Sequence, residues 1–332
     1  MNPILFKIVW LLLLVVCFGV LNLTTGAVAI PLADLWAMLW NEPTTNPTFS
    51  TIVFNLRLPN TLMAIAAGGS LSIAGLLMQT FFRNPIAGPY ILGVSSGASL
   101  GVAMAVMAFP AILQASAWGL VSAASIGAMA VLMLLLMVAW RITDGNTLLI
   151  LGLMLGSATG AIIELLQYFS SQQELQRYIF WTMGSLQGTT WREIGVLLPL
   201  VAVCWVGVFV LAKPLNALLL GEEYAQTMGV SVNKMKIGII VITAILAGSI
   251  TAFCGPIAFV GTAVPHLARW LFRTSQHHIL LVGSILIGVL VLLVCQWLAH
   301  LPLQNRVLPV NALTSLLGAP VVIIVVMRLK NS

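Results

Sequence analysis

Long apolar segments separated by short polar stretches run through almost the whole chain. Each is close to the ~20 residues that an α-helix needs to cross the hydrocarbon core of a bilayer. Ten segments are predicted: residues 4–23, 58–81, 91–109, 116–140, 147–169, 191–212, 236–254, 256–272, 279–301 and 309–328. The eighth is short, and the pattern does not fix its boundary with the seventh. We therefore expect an all-α polytopic membrane protein with about ten transmembrane helices, forming one transmembrane domain over residues 1–332.

The composition excludes a soluble domain of this size. Sixty per cent of the 332 residues are apolar and 7% are charged, and the mean hydropathy is +1.08. A water-facing surface needs more charged side chains than this chain has. The cysteines lie within apolar segments without a C-x-x-C pair, so they indicate packing thiols with neither a disulfide framework nor a metal site.

The basic residues indicate how the segments are oriented. With a cytoplasmic N-terminus and ten crossings, the C-terminus is also cytoplasmic. The basic residues on the inner side are then Lys7, Arg83, Arg141, Lys213, Lys234, Lys236, Arg269, Arg273, Arg328 and Lys330. Those on the outer side are Arg57, Arg177, Arg192 and Arg306. Cytoplasmic loops carry the excess of Lys and Arg, so this orientation is favoured, and the net charge of +6 is a topology signal. The chain has no basic patch with interleaved aromatic residues, so its sequence does not indicate a nucleic-acid partner.

Residues 24–56, called the outer segment below, form the longest stretch on the outer side. Leu32 to Trp40 is predicted to be a short interfacial helix. Trp36 and Trp40 are its anchors, because tryptophan side chains favour the boundary between membrane and water.

A Pro- and Gly-rich break, residues 84–89, separates the second apolar segment from the third. We call it the elbow, and its defining residues are Asn84, Pro85, Gly88 and Pro89. Irregular backbone at membrane depth is tolerated only where it is buried in protein or lines a water-filled cavity. The elbow therefore predicts a transport pathway as well as a membrane anchor.

Short sequence matches indicate an internal repeat. Pro85-Ile86-Ala87 follows the second segment and Pro256-Ile257-Ala258 follows the seventh, while Leu155-Gly156-Ser157 in the fifth matches Leu317-Gly318-Ala319 in the tenth. Five segments separate each pair, and an odd offset reverses direction in the membrane. Segments 2–5 and 7–10 are therefore predicted to form an inverted repeat, which is common in transporters.

Two blocks carry a resemblance to a known family: the stretch from Arg57 to Gly101, and Gly255 to Gly261 followed by Pro265-His266-Leu267-Ala268-Arg269. Over nearly its whole length the chain resembles the FecCD-type permeases of ATP-binding-cassette importers for iron siderophores, haem and cobalamin. The resemblance implies a type II importer permease fold in the bacterial inner membrane. It also implies an identical permease partner, two ATP-hydrolysing subunits and a periplasmic or lipid-anchored substrate-binding protein. The expected cargo is a bulky metal chelate. A ferric siderophore is the first candidate, and haem and cobalamin are the alternatives.

The chain has no nucleotide-binding loop of its own. No Lys follows a Gly, so the pattern G-x-x-x-x-G-K-[ST] cannot be present. The chain is therefore not predicted to be an enzyme, and the energy for transport must come from a partner.

Residues 213–236, called the coupling segment below, lie on the inner side. Two short helices are predicted there, Asn216 to Leu220 and Glu222 to Met228, joined at Gly221 and with Gly229 as the C-terminal cap of the second. In the resembled family this segment docks into a groove on the ATPase subunit. The matching residues are Gly221, Glu222, Glu223, Gly229 and Val230. The alternative is an ordinary solvated loop.

Glu164 is the only carboxylate that lies more than one helical turn from the end of an apolar segment, and it is nearer the outer end of the fifth. An ionised group at the bilayer centre costs about 2.5 to 3.5 kcal/mol. One carboxylate without an intramembrane Lys, Arg or Asp makes a poor proton relay, which disfavours the alternative of an ion-coupled secondary transporter. An intramembrane enzyme is disfavoured too, because H-E-x-x-H, paired membrane aspartates and a Ser-His arrangement are missing. Glu164 is expected at a cavity edge or in the substrate path.

Gly152, Gly156 and Gly160 form a ridge of small residues in the fifth segment. Such ridges usually let another helix approach closely. In the resembled family the fifth and tenth segments line the pathway between two permease subunits. The resemblance therefore implies a smooth pathway wall near Gly152 to Gly160, with Glu164, and near Ala312 to Gly318.

Outer arginines are the candidates for docking a binding protein. In the resembled family they form salt bridges with acidic residues on its two lobes. Arg57 matches the first of these, and Arg306 is a candidate for a further one. This chain departs from the family pattern at Asn60 and His300. The alternative for Arg57 is an interfacial anchor.

The histidines indicate no metal or haem site, and no cofactor is predicted. His266 belongs to a general family motif and is expected to be structural. His277 and His278 are expected to be solvated in a cytoplasmic turn.

Overall fold

A computed structural model describes residues 3–40, 42–109, 117–139, 145–300 and 308–330, and every regular element within those ranges is helical. The helices are α1 Pro3–Thr24, α2 Leu32–Leu39, α3 Thr48–Phe81, α4 Val94–Ala108, α5 Ala117–Ala139, α6 Gly145–Phe169, α7 Gln172–Thr182, α8 Trp191–Leu219, α9 Glu222–Thr227, α10 Val232–Cys254, α11 Val260–Phe272, α12 His277–Ala299 and α13 Val310–Lys330. Arg306 lies outside the described residues.

Within the described ranges, eight helices are long and apolar enough to cross a membrane, namely α1, α3, α5, α6, α8, α10, α12 and α13. The shorter α4 and α11 occupy the third and eighth predicted segments. The all-helical fold is thereby confirmed, with eight of the ten predicted segments present as helices long enough to cross a membrane and the other two as shorter helices. The largest shift in a boundary is in α3, which begins at Thr48 and passes through a π-helical turn at Val53–Arg57.

α4 and α11 are short because an irregular stretch precedes each of them. Prolines at 85, 89 and 256 remove backbone donors and disfavour helix in the residue before them. Each short helix then starts directly after a residue in the left-handed region, Gly93 with φ +72° or Phe259 with φ +66°. A bulky residue such as Phe259 rarely adopts this conformation, so surrounding packing must hold it there.

The prediction of a separate helix at Asn216–Leu220 was wrong. α8 continues to Leu219 through two internal prolines, Pro199 and Pro214. A proline costs a helix one backbone hydrogen bond, and in membrane helices neighbouring groups can satisfy the freed carbonyl. The second predicted helix is confirmed as α9, and Gly229 takes the positive φ, +82°, that its predicted capping position requires.

The interfacial helix of the outer segment is confirmed as α2. Trp36 and Trp40 are exposed on it. The buried Asp34 carboxylate accepts hydrogen bonds from the Thr45 backbone N–H and hydroxyl, both at 2.7 Å. The two hydrogen bonds between Asp34 and Thr45 hold the later part of the outer segment against α2.

Helix packing has the pattern that an inverted repeat requires. Within the first half, α4 packs on α5 and α6; within the second, α11 packs on α12 and α13. Across the halves, α3 packs on α11 and α12, while α10 packs on α4 and α5. Each pairing therefore has its counterpart at the equivalent position in the other half.

α3 lies at the centre of the bundle and is buried along most of its length. Small residues let its neighbours come into backbone contact. A Cβ on Gly75 would lie 1.7 Å from the Gly261 carbonyl oxygen in α11, and a Cβ on Gly68 would lie 2.3 Å from the Gly288 carbonyl oxygen in α12. By contrast, α6 and α13 are mostly exposed and sit at the surface of the chain.

Replacing Gly75 by Ala is expected to destabilise the fold. The added methyl group would overlap the Gly261 backbone, and overpacking of this kind costs about 1 to 3 kcal/mol. Thermal unfolding of the detergent-solubilised protein measures the effect. The matched control is Gly19→Ala, because a Cβ there meets no atom within 4 Å. Equal melting temperatures for the two variants would contradict the close contact of α3 with α11.

Candidate functional site

The elbow satisfies part of its backbone hydrogen bonding locally. α3 ends at Phe81, and Arg83 takes φ +47°, which turns the chain out of the helix. The Asn84 side-chain oxygen accepts from the Ile86 N–H at 3.0 Å, and the Asn84 carbonyl accepts from the Ala87 N–H at 3.0 Å. This turn uses donors that would otherwise be unpaired at membrane depth.

Side-chain hydrogen bonds join the elbow and the residue after it to the second half of the repeat. His266 Nε2 lies 2.6 Å from the Pro85 carbonyl oxygen and donates to it. The Tyr90 hydroxyl accepts from the Ile257 N–H at 3.1 Å and donates to the Ile257 carbonyl. His266 is therefore structural, as predicted, and each Pro-Ile-Ala block is bonded to a side chain from the other half of the repeat.

A buried polar chain next to the elbow joins α3 to α11. Arg269 Nη1 donates to Gln79 Oε1 at 2.6 Å, and Gln79 Nε2 donates to the Thr262 carbonyl at 2.9 Å. Gln79 thus uses both ends of its amide. These bonds hold the end of α3, just before the elbow, against α11.

The predicted coupling residues lie on one exposed surface. Gly221, at φ +123°, begins the turn into α9, and Glu222 and Glu223 are exposed in its first turn. The Ala225 N–H donates to the Gly221 carbonyl at 2.9 Å, and the Val230 N–H donates to the Ala225 carbonyl at 3.0 Å. An open cavity of about 620 Å³ lies beside this turn. Its lining residues are Arg83, Leu220, Gly221, Glu222, Glu223, Tyr224 and Thr227.

The expectation that His277 is solvated was wrong, although His278 is exposed. His277 is only 1% exposed, because its ring is held between α8 and α3. Its backbone N–H and ring Nδ1 lie 2.9 and 2.8 Å from Asn216 Oδ1, and its Nε2 lies 2.9 Å from the Thr80 hydroxyl. No local pattern in the sequence identifies these partners, which are far away along the chain.

The glycine ridge of α6 has three different environments. A Cβ on Gly152 would lie 2.3 Å from the Ile91 carbonyl oxygen, whereas one on Gly156 would lie 3.4 Å from Ser96 Oγ. At Gly160 a Cβ meets nothing within 4 Å. Gly152 is therefore a packing position, and the ridge opens toward Gly160.

The open end of this ridge borders a cavity of about 390 Å³ with an uncharged lining. The lining residues are Tyr90, Ser95, Ser96, Ser99, Gly156, Gly160, Ile163, Tyr178, Pro256 and Ala258. Ser95 is paired with Thr251 across 3.0 Å, and Tyr178 is hydrogen-bonded to Ser99. Sequence reasoning missed these serines, although their spacing in an apolar segment places Ser95 and Ser99 on one helix face.

The remaining predicted pathway residues do not line this cavity. Glu164 is exposed one turn beyond Gly160. Ala312 is exposed on α13, whereas Gly318 is buried, and a Cβ on it would lie 2.4 Å from Phe259 Cβ. Gly318 therefore makes room for the strained residue at the start of α11.

On the outer side, Arg57 holds the outer segment. Its Nη1 donates to the Leu23 carbonyl at 2.7 Å, and its Nη2 donates to the Val28 carbonyl. The guanidinium group therefore links the start of the outer segment to α3, and Arg57 is a structural tie in the chain on its own.

Among the described residues there is no group of three or more His, Cys, Asp or Glu that could hold a metal ion. The four cysteines are free. Nothing in the described part of the chain therefore offers a resident metal site.

Comparison with protein families and curated sequences gives consistent matches. A model of the FecCD transport family matches residues 11–328. The hemin transport system permease protein HmuU of Yersinia pestis is 34% identical over 324 residues, covering 97% of this chain and 95% of the relative. The vitamin B12 import system permease protein BtuC of Yersinia enterocolitica is 34% identical over 317 residues, covering 94% and 92%.

Solved structures match over a similar length. An inward-facing conformation of a metal-chelate type ABC transporter has a TM-score of 0.86 at 28% identity, covering 97% of this chain and 99% of that one. PsaBC from Streptococcus pneumoniae has a TM-score of 0.57 at 16% identity, covering 80% and 90%. The second likeness concerns the fold alone.

Proposed function

Because this chain belongs to the FecCD transport family, as a permease subunit of an ABC importer, we propose that it carries a bulky metal chelate into the cytoplasm. The observation that carries the proposal is the exposed coupling surface at Glu222 and Glu223, on a chain matched to the family over residues 11–328. ATP hydrolysis is assigned to a partner subunit.

A ferric siderophore is the cargo we propose first. The cavity beside Gly160 has hydroxyl and apolar groups but no charged side chain in its lining. Such a wall can contact the periphery of a chelate but cannot compete for its metal, because it lacks the ligands that transition metals prefer. Haem and cobalamin, the cargoes named for the relatives, also bring their metal already enclosed.

The proposed assembly contains two copies of this permease, two ATPase subunits and a substrate-binding protein, in the inner membrane with both termini in the cytoplasm. Exposed apolar side chains on α6 and α13 support the contact between copies. They include Leu165, Tyr168, Phe169, Leu316, Ile323 and Met327. A surface of this kind is suited to lipid or to a second permease, and the family resemblance favours the second permease along the pathway.

The proposal is tested by uptake into proteoliposomes that contain the permease, its ATPase and its binding protein. ATP inside the vesicles should drive uptake of a ferric siderophore, with haem and cyanocobalamin as the other cargoes offered. Glu222→Lys with Glu223→Lys should abolish uptake, because charge reversal on the coupling surface breaks the contact with the ATPase. Detergent pull-down of the ATPase should fail in the same double variant.

Glu42→Lys is the matched control, since Glu42 is equally exposed but belongs to the outer segment. It should leave uptake and pull-down unchanged. Uptake driven by a proton gradient without ATP would instead support the ion-coupled alternative. Normal pull-down and uptake in the double variant would overturn the coupling assignment.

We propose further that the pathway runs along Gly156 and Gly160, with Glu164, Gly152 and the Ala312–Gly318 stretch of α13 forming its surroundings. The uncharged cavity at Gly160 supports this proposal. A wall with few strong contacts lets cargo pass without being retained, and leaves selectivity to the external binding protein.

Replacing Gly160 by Leu should block uptake and leave the protein folded. The new side chain would enter open space, because a Cβ at Gly160 meets no atom within 4 Å. Uptake and thermal unfolding should be measured together. Gly152→Leu is the comparison, since its Cβ would press on the Ile91 carbonyl and should reduce stability as well. Normal uptake in a folded Gly160→Leu protein would remove Gly160 from the pathway.

Docking of the binding protein at Arg57 and Arg306 is likewise our proposal. Arg57 lies in α3, directly after the outer segment, and its two hydrogen bonds to the Leu23 and Val28 carbonyls hold the guanidinium group in place. A positioned guanidinium group is a good partner for a carboxylate.

Arg57→Glu should weaken association of the binding protein by at least about fivefold, because a surface ion pair contributes up to about 1 kcal/mol and reversal adds repulsion. The loss should be larger at low salt, where screening is weaker. Titrations at two salt concentrations measure both. Arg57→Lys keeps the charge but cannot make the same paired backbone bonds, so retained binding in this variant separates docking from the structural tie. An unchanged salt slope in Arg57→Glu would contradict docking.

A further inference from the structure

We propose that His277 is the positioning residue that transmits movement of the coupling segment to the elbow. The proposal rests on the proposed function, because it takes the ATPase to dock on the coupling segment. His277 touches neither the docking surface nor the cavity at Gly160. It acts through Asn216 on one side and Thr80 on the other.

His277 connects three helices at one buried point. It is the first residue of α12, its Nδ1 donates to Asn216 Oδ1 in the last two turns of α8, and its Nε2 faces the Thr80 hydroxyl in the last turn of α3. Asn216 lies within the coupling segment, five residues before Gly221. Thr80 lies four residues before Asn84. A single imidazole thus spans from the coupling segment to the approach to the elbow.

The hydrogen-bond roles on this imidazole follow from its partners. Asn216 Oδ1 can only accept, so Nδ1 carries the proton in the neutral ring and Nε2 accepts from Thr80. The Thr80 hydroxyl also lies 2.9 Å from the Leu76 carbonyl, and it has only one proton to donate. The Thr80 bond can therefore switch between the histidine and its own helix without moving the backbone far.

A second, more exposed contact runs parallel to the first. Arg83 Nη2 donates to the Leu218 carbonyl at 3.4 Å, at the C-terminal end of α8, where this carbonyl also accepts from the Gly221 N–H at 3.1 Å. Arg83 also lines the cavity beside Glu222 and Glu223. The end of α8 is therefore joined to the end of α3 both through the buried His277 and through the surface Arg83.

The elbow is fixed on its other side. His266 holds the Pro85 carbonyl at 2.6 Å, and Tyr90 holds Ile257. Movement of α8 that is passed through His277 to Thr80 would therefore act on the short stretch between Thr80 and Pro85. That stretch contains Arg83, whose φ of +47° is a conformation that surrounding contacts must maintain.

The test uses His277→Leu in the complex with the ATPase and the binding protein. Detergent pull-down and basal ATP hydrolysis should be retained, because the coupling surface is intact. Transported substrate per ATP hydrolysed should fall about tenfold, the size expected for losing a buried hydrogen-bonded link. His278→Leu is the control, since this neighbour is exposed, and it should keep the parental ratio.

Thr80→Val is the second variant, because it removes the hydroxyl and preserves the shape of the side chain. Thr80→Val should lower the amount of substrate transported per ATP hydrolysed, as His277→Leu does. If the His277→Leu complex fails to assemble, Thr80→Val alone tests the proposal. The double variant should be no worse than either single one, since both break the same link. A parental ratio in folded Thr80→Val protein would overturn the proposal. Failure of the parent complex to bind its ATPase would instead contradict the proposed function.

Discussion

The structure depends on how it pairs backbone groups where helices are broken within the membrane. Water is not available there, so unpaired N–H and C=O groups are costly. The first break is held by His266, which reaches from the second half to the Pro85 carbonyl. The second is held by Tyr90, which reaches from the first half to Ile257, and by Asn311, whose oxygen accepts from the Ala258 N–H at 2.9 Å. Each half therefore completes the other's irregular backbone.

Close packing of α3 determines what remains at the surface. Gly68 and Gly75 bring its backbone against α12 and α11, so α3 leaves no gap to these two neighbours at those points. The pathway that we propose therefore runs along a face that the single chain leaves exposed. The faces of α6 and α13 meet this requirement, and the cavity at Gly160 lies beside α6. The tight core and the peripheral pathway are thus consequences of the same packing.

The sequence predicted the features that local pattern and length determine, and missed those that depend on distant partners. Segment lengths located the membrane helices, and Gly229 was recognised because a positive φ at a helix end favours glycine. The end of α8 was predicted too early because the apolar segment ends at residue 212, whereas the helix continues through Pro214 to Leu219. His277 was missed because its partners, Thr80 and Asn216, are 197 and 61 residues away. A histidine beside an exposed neighbour gives no local sign of burial.

In the mechanism that we propose, the uncharged cavity at Gly160 and the charged coupling surface at Glu222 serve different steps of transport. The cavity lining has no charged group, so it can neither extract a metal nor bind a cargo strongly. Charged residues lie instead beside the turn into α9, where Glu222 and Glu223 are exposed and Arg83, with φ +47°, lines the same open cavity. A ligand can shift a conformational equilibrium only by its differential affinity for the two states. A weakly binding wall supplies little of that difference, so in the mechanism that we propose the force that moves the elbow enters through the coupling segment, where buried hydrogen bonds join α8 to α3.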